Sequence, residues 1–141
     1  MISPYLLAAL GAWVVAQGSK YLISVAKSRS VRKFRSLYIS GGMPSAHSAT
    51  VVAVLMVVAL RDGIESGVFG VAALLAAIVM YDAMMVRRSS GRQGEIIAQL
   101  AKEAGSLVKL PRFAKGHEPI EVAVGAAVGI IVGVVVFLAT R

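Results

Sequence analysis

Four long apolar stretches constrain the fold of this chain more than any other feature of its sequence. A helix needs about 20 apolar residues to cross the hydrocarbon core of a bilayer. Stretches that meet or approach this length lie near residues 4–26, 44–61, 64–86 and 119–140. We therefore predict an all-α, polytopic membrane helical bundle with four transmembrane helices, formed as a single membrane-embedded domain over residues 1–141.

The composition excludes most soluble enzymes and all cysteine chemistry. Hydrophobic residues make up 57% of the chain and charged residues 16%, whereas soluble domains average about 25% charged residues. The chain has no cysteine, which excludes disulfides, thiolate metal sites and cysteine nucleophiles. Its net charge of +8 needs anionic partners. We expect the membrane surface and a phosphorylated substrate, and no nucleic acid.

The basic residues predict the orientation of the chain. Twelve of the 15 fall in two connections, after the first and third apolar stretches. They are Lys27, Arg29, Arg32, Lys33, Arg35, Arg87, Arg88, Arg92, Lys102, Lys109, Arg112 and Lys115. The positive-inside rule places both connections in the cytoplasm and both termini outside a cell membrane. The longer connection predicts a short surface helix, Glu95 to Leu107, ended by Gly105 and Pro111.

Two histidines stand near prolines at predicted helix starts. His47 lies in Pro44-Ser45-Ala46-His47-Ser48, and His117 lies two residues before Pro119. Both fall on the predicted cytoplasmic side. A helix N-terminus attracts anions through its N–H groups and dipole, so two such ends facing each other would hold one phosphate. The alternative is that both are ordinary interfacial residues.

Two carboxylates and one lysine are placed to assist the histidines. Glu121 follows His117 at the four-residue spacing of one helix face, where it would orient the imidazole or simply favour the helix dipole. Asp82 lies inside the third stretch, where it would pair with Arg87 or Arg88, orient a phosphate-binding arginine or bind a metal. Lys20 interrupts the first stretch and either reaches the membrane surface or faces the site.

Several segments together resemble a known family. Gly41-Gly42-Met43-Pro44-Ser45-Ala46-His47-Ser48 resembles the Pro-Ser-Gly-His motif of the type-2 phosphatidic acid phosphatase superfamily. The chain more closely resembles the divergent branch of that superfamily related to acid phosphatases and vanadium-dependent haloperoxidases. The segments that carry this similarity are Tyr81-Asp82-Ala83, Val86-Arg87-Arg88, Gly91-Arg92-Gln93 and Gly116-His117-Glu118-Pro119-Ile120-Glu121-Val122.

The resemblance implies a metal-independent hydrolase without a cofactor. It implies that His117, assisted by Glu121, forms a phosphohistidine and that His47 protonates the leaving oxygen. Ser45 and backbone N–H groups near Ala46 would hold phosphate oxygens. The sequence departs from the superfamily at its first motif, a lysine with Arg-Pro seven residues later, since Phe34 stands at that spacing from Lys27.

Further departures leave the phosphate-binding cations open. The superfamily's third motif has Ser-Arg six residues before the histidine, whereas Arg112 lies five before His117. The final acid is Glu121, where the superfamily has aspartate, and Ala46 replaces the motif glycine. The candidates for binding the phosphate are Lys20, Arg87, Arg88, Arg92 and Arg112.

We expect an integral membrane lipid phosphatase that acts on a phosphate monoester or diphosphate. Phosphatidylglycerol phosphate, phosphatidic acid and polyprenyl phosphates share the required headgroup chemistry. Two alternatives remain: a metal-dependent phosphohydrolase that uses His47, Asp82, His117 and Glu121, and a non-catalytic module that binds anionic lipid or a partner. Gly125, Gly129 and Gly133 recur every four residues, which favours close helix packing within the bundle or in a homodimer.

Overall fold

The computed structural model describes residues 2–28, 42–108, 110 and 116–141, and these residues contain helices and no strand. The elements are α1 (Pro4–Ser28), α2 (Ala46–Arg61), α3 (Gly67–Tyr81), a π-turn (Asp82–Val86), α4 (Arg87–Glu103) and α5 (Pro119–Thr140). The predicted all-helical class is therefore confirmed for the described part of the chain. Several residues discussed above lie outside it: Arg29, Arg32, Lys33, Phe34, Arg35, Gly41, Lys109, Pro111, Arg112 and Lys115.

Two serine caps and a proline mark the starts of three helices. Ser45 has an extended backbone and accepts a hydrogen bond from the Ser48 N–H, so α2 begins at Ala46 and not at the predicted position 44. Ser66 likewise accepts from the Phe69 N–H at 3.1 Å, and α3 begins three residues later than predicted. At α5, Pro119 occupies the first turn, where its missing N–H removes no helical hydrogen bond.

Helix length and composition identify three candidate membrane spans. They are Pro4–Ala26, Gly67–Glu103 and Pro119–Thr140. The apolar helix Ala46–Arg61 has 16 residues, which corresponds to about 24 Å of helix. The hydrocarbon core is about 30 Å thick. Length therefore supports a membrane helical bundle, whereas the predicted count of four spans depends on α2.

The predicted surface helix is not a separate element. The chain is helical without a break from Gly67 to Glu103, because the π-turn joins α3 directly to α4. No proline stands between Tyr81 and Glu103 to end the helix. The prediction of a helix from Glu95 to Leu107 was therefore wrong at both ends: α4 starts at Arg87 and stops at Glu103, just before Gly105 with φ +63°.

The core of the bundle is built from small residues. Helix α2 packs against α1, α3 and α5. Ala8, Ala12 and Ala16 of α1 are completely buried, and they join Ala49 and Ala53 of α2 in one cluster. Small side chains let helix backbones approach closely, which is how helices associate in lipid. Large apolar side chains instead cover the outside, where Leu6, Leu10, Trp13, Leu22, Leu74 and Ile131 are exposed.

Helices α2 and α5 lie side by side and run in the same direction. A Cβ atom on Gly129 would lie 2.5 Å from the Ala49 carbonyl oxygen, and one on Gly133 would lie 2.6 Å from Met56 Cβ. Gly125 faces Ser45 in the same way. The glycine spacing therefore packs α5 against α2 within one chain. Because the two helices are parallel, their N-terminal ends lie at the same end of the bundle.

Candidate active site

His117 is held at the N-terminal end of α5 by contacts with two elements. Its backbone N–H donates to the Ala83 carbonyl oxygen in the π-turn at 3.0 Å. Its Nδ1 lies 2.9 Å from Glu121 Oε2, which is the contact that the four-residue spacing predicts. The side chain is only 3% exposed. Since a carboxylate only accepts hydrogen bonds, Nδ1 carries the proton, and in the neutral ring Nε2 keeps a lone pair.

Burial keeps this imidazole in its neutral form. Desolvation lowers the pKa of His117 from its usual 6.5, and the hydrogen bond and charge of Glu121 oppose this effect without cancelling it. The positive charges of Lys20 and Arg87 lower the same pKa further. A neutral imidazole with an unprotonated Nε2 is the form that acts as a nucleophile.

Glu121 contacts His117 and also caps the start of α5. Besides its contact with His117, Oε2 accepts a hydrogen bond from the Glu118 N–H at 3.2 Å and completes a capping box at the start of α5. Helix capping holds the carboxylate still, so the same residue fixes both the start of the helix and the orientation of the imidazole.

His47 lies in the first turn of α2, at the same end of the bundle as His117. The Ser45 N–H donates to the Glu121 carbonyl oxygen at 3.0 Å, which ties the N-terminal ends of α2 and α5 together. The His47 side chain is exposed. The charged groups that act on it electrostatically are Arg87, His117, Lys20 and Asp82. The two imidazoles therefore share one electrostatic environment.

The two residues before His47, Ser45 and Ala46, are buried. Ser45 is completely buried and Ala46 is 6% exposed. The Ser48 hydroxyl donates to the Ser45 oxygen at 3.0 Å. This contact and the capping contact turn the Ser45 side chain toward the first turn of α2. The backbone N–H groups that lack a partner within the helix lie in that turn.

Lys20 belongs to the site through its side chain. Its Cε lies 3.9 Å from the position of a Cβ atom on Gly42, in the segment that leads into α2. Its charge acts on Glu121 and on both histidines.

The remaining basic residues relate to the histidines in different ways. Arg87 pairs with Asp82 through an Nε–Oδ2 contact of 2.6 Å, and its charge acts on both imidazoles. Arg88 contributes its backbone, since a Cβ atom on Gly116 would lie 2.5 Å from the Arg88 nitrogen. Arg92 is exposed further along α4 and is not among the groups acting on either imidazole. Arg112 lies outside the described residues.

The carboxylates and imidazoles do not converge as metal ligands. Among residues 2–28, 42–108, 110 and 116–141, no three side chains of histidine, aspartate or glutamate come close enough to hold one ion. Glu121 is engaged with His117, and Asp82 with Arg87. The described residues instead place two imidazoles and two cations around one end of the bundle, an arrangement suited to an anion.

The histidine environment also contains groups that sequence motifs did not identify. The Ala83 carbonyl oxygen and Gly116 contribute through the backbone alone. Gly116 has φ +72°, a conformation that glycine adopts readily. The glycine immediately before the candidate histidine was the available sequence signal for this close approach.

Comparisons with known proteins agree with the motifs. The model of the Divergent PAP2 family matches residues 1–132. The uncharacterized membrane protein YuiD of Bacillus subtilis (strain 168) is 37% identical over an aligned length of 145 residues, gaps included. The alignment covers 92% of this chain and 91% of the relative. No solved structure matches the chain significantly. The resemblance inferred from the motifs is thus confirmed, and this membrane protein belongs to the Divergent PAP2 family.

Proposed function

We propose that this protein is an integral membrane phosphatase that hydrolyses a phosphate monoester or diphosphate of a lipid. The observation that carries the proposal is the His117–Glu121 contact of 2.9 Å, at the end of the bundle that also carries His47. Glu121 holds the proton on Nδ1 and aims the lone pair of Nε2, as an orienting carboxylate does in a catalytic triad. Membership of the Divergent PAP2 family supports the same chemistry.

The proposed reaction has two steps. In the first, His117 Nε2 attacks phosphorus in line, the phosphorus–oxygen ester bond breaks, and His47 donates a proton to the leaving lipid alkoxide. In the second, His47 accepts a proton from water while the water oxygen attacks the phosphohistidine. The phosphorus–nitrogen bond then breaks, inorganic phosphate leaves, and His117 returns to its neutral form.

Fixed cations would stabilise the charge on the phosphoryl oxygens. Lys20 and Arg87 are the best-placed cations, because both act electrostatically on the two imidazoles. Ser45 and the backbone of Ala46 would contribute hydrogen bonds at the start of α2. Arg88, Arg92 and Arg112 would complete the set by attracting the anionic substrate. This mechanism requires no metal ion and no cofactor.

A lipid is the proposed substrate because the site lies at the end of apolar helices. The exposed apolar side chains of α1, α3 and α5 fit a lipid environment, where the headgroup of a phospholipid would reach the N-terminal ends of α2 and α5. Phosphatidylglycerol phosphate, phosphatidic acid and polyprenyl phosphates all meet this requirement. In the proposed topology the chain crosses a cell membrane four times, with both termini outside and the site facing the cytoplasm.

The direct test measures phosphate released by the purified protein from a panel of these lipid phosphates. We expect turnover of at least one substrate, inhibition by vanadate as a five-coordinate phosphorus mimic, and no loss of activity with a chelator. His117→Ala should reduce turnover about 10²-fold or more. Glu65→Ala, in the exposed turn between α2 and α3 at the opposite end, is the matched control and should keep full activity.

The same assay distinguishes the proposed phosphatase from the two alternative functions. Loss of turnover with a chelator, restored by a divalent ion, would indicate a metal-dependent phosphohydrolase. Absence of turnover on every substrate, with binding to anionic-lipid vesicles that survives His117→Ala, would indicate a non-catalytic lipid-binding module. Either outcome overturns the phosphohistidine mechanism.

A further inference from the structure

A single π-turn interrupts the long helix beside the proposed site. The Arg87 N–H donates to the Asp82 carbonyl oxygen, five residues earlier, whereas an α-helix joins residues four apart. Isolated π-turns are rare and often occur at functional sites. Here the turn contains Ala83, whose carbonyl oxygen accepts the His117 N–H.

The π-turn brings together two side chains that an α-helix would separate. Residues five apart in an α-helix point about 140° away from each other around the axis. The wider turn reduces this angle, and Arg87 Nε lies 2.6 Å from Asp82 Oδ2. The Arg87 side chain is 40% exposed and that of Asp82 35%, so protein replaces much of the surrounding water. The geometry of this short contact limits the orientations that the planar guanidinium can take.

The contact through Nε constrains the plane of the guanidinium group. Arginine carries five N–H donors in one rigid plane, and the Asp82 contact uses the one on Nε. The four hydrogens on the terminal nitrogens form the fork that binds two oxygens of a phosphate at once. The charge of this guanidinium already acts on both His47 and His117.

The π-turn and the start of α4 also support the backbone at His117. A Cβ atom on Gly116 would lie 2.8 Å from the Arg87 carbonyl carbon and 2.5 Å from the Arg88 nitrogen. The residue before His117 therefore rests directly on the start of α4, while His117 itself bonds to Ala83. The imidazole and the guanidinium thus share one support, which fixes their relative position.

We infer that Asp82 is a positioning residue: within the π-turn it fixes the plane of Arg87 so that the guanidinium meets two oxygens of the phosphoryl group that His117 attacks. This inference rests on the proposed function, and it assigns the role of the principal phosphate-binding arginine to Arg87. Asp82 itself contacts no substrate.

The test uses the fact that the charge of Asp82 and its positioning role predict opposite changes in vanadate affinity. Asp82→Asn removes a negative charge near the anion, so electrostatics alone would tighten vanadate binding. Loss of positioning predicts the opposite: vanadate binding weakens, and kcat/KM for the lipid phosphate falls, each about tenfold or more. Asp82→Glu, which keeps the carboxylate, should recover part of the loss. Asp62→Asn makes the same chemical change on the Tyr5 side of the bundle and serves as the matched control.

A double-mutant cycle with Arg87→Lys connects the two residues. Lysine keeps the charge and loses the planar fork, so Asp82→Asn should add little to the loss that Arg87→Lys causes. Fully additive losses would show that Asp82 acts by another route. Arg87→Lys also carries the test if Asp82→Asn does not fold, because unchanged vanadate affinity in it overturns the assignment.

The outcomes distinguish this inference from the proposed function. Unchanged or tighter vanadate binding in Asp82→Asn, with wild-type turnover intact, overturns the positioning role and leaves the phosphatase proposal standing. If the wild-type protein hydrolyses no lipid phosphate, the phosphatase proposal fails. Calorimetric binding of vanadate then decides the positioning role without turnover, since weaker binding in Asp82→Asn still supports an anion site built on Arg87.

Discussion

At the scale of single residues, the protein combines a buried imidazole with a carboxylate that caps a helix. His117 lies where burial disfavours its charged form, and Glu121 moderates that effect through a hydrogen bond. Burial lowers the pKa of His117, and Glu121 raises it. The balance leaves the imidazole neutral near physiological pH, while Glu121 is in place to stabilise a positive ring when one forms.

This balance predicts the titration of His117. The chain has two histidines, so a His47→Gln variant leaves one imidazole signal for NMR in detergent micelles. We expect its midpoint below 6.5, because desolvation lowers the pKa of His117. Glu121→Gln in the same background should lower the midpoint further, since it removes the group that raises this pKa.

Glu118→Gln is the control for that titration. Glu118 is exposed, next to His117 in the chain, and is not among the groups that shift its pKa. The midpoint should therefore stay where it is in the His47→Gln background. A midpoint above 6.5, or an upward shift in Glu121→Gln, would contradict the burial argument.

At the scale of elements, the contact between α2 and α5 decides where the histidines stand. Gly125, Gly129 and Gly133 present backbone to α2, and each is buried. Close parallel packing places two helix N-terminal ends together, and the Ser45–Glu121 backbone hydrogen bond fixes their register. The glycine spacing was evident in the sequence, but it was equally compatible with a homodimer. Only the packing assigns it to the interior of one chain.

The glycine contact predicts a difference between two similar substitutions. Gly129→Ala should destabilise the protein by about 1 to 3 kcal/mol, because the new methyl group would lie 2.5 Å from the Ala49 carbonyl oxygen and push α5 from α2. Gly70→Ala in α3 meets open space and should cause no loss. Thermal unfolding in detergent measures both, and equal stability of the two variants would refute the close contact.

At the scale of the whole molecule, the bundle has two distinct polar ends. One end carries both histidines with Lys20 and Arg87. At the other, the Tyr5 hydroxyl donates to Asp62 at 2.8 Å, and Arg61 donates to the Thr140 carbonyl oxygen at 3.2 Å. These contacts join the start of α1, the end of α2 and the end of α5. Apolar helix surface lies between the two ends, as expected for a protein in a bilayer.

The proposed orientation predicts which end reagents can reach from outside a cell. The chain has no cysteine, so single cysteines can be introduced at Glu65, in the turn before α3, and at Ser106, beyond α4. We expect a membrane-impermeant maleimide to label Glu65→Cys in intact cells and Ser106→Cys only after lysis, following the positive-inside rule. The reverse pattern would invert the topology, and equal labelling would contradict a single crossing between the two sites.

The sequence by itself determined the helical class, the apolar stretches, the start of α5 at Pro119, and the spacing that joins His117 to Glu121. Each of these depends on residues within one continuous segment of the chain. Only the tertiary structure decided that α3 continues into α4 through a π-turn, that Lys20 faces the histidines, and that Asp82 pairs with Arg87. Lys20 reaches the histidines only when α1 packs against α2, and contacts of that kind have no fixed spacing along the chain. Asp82 and Arg87 are only five residues apart, but which arginine pairs with Asp82 depends on the π-turn, whose Ala83 carbonyl accepts the N–H of the distant His117.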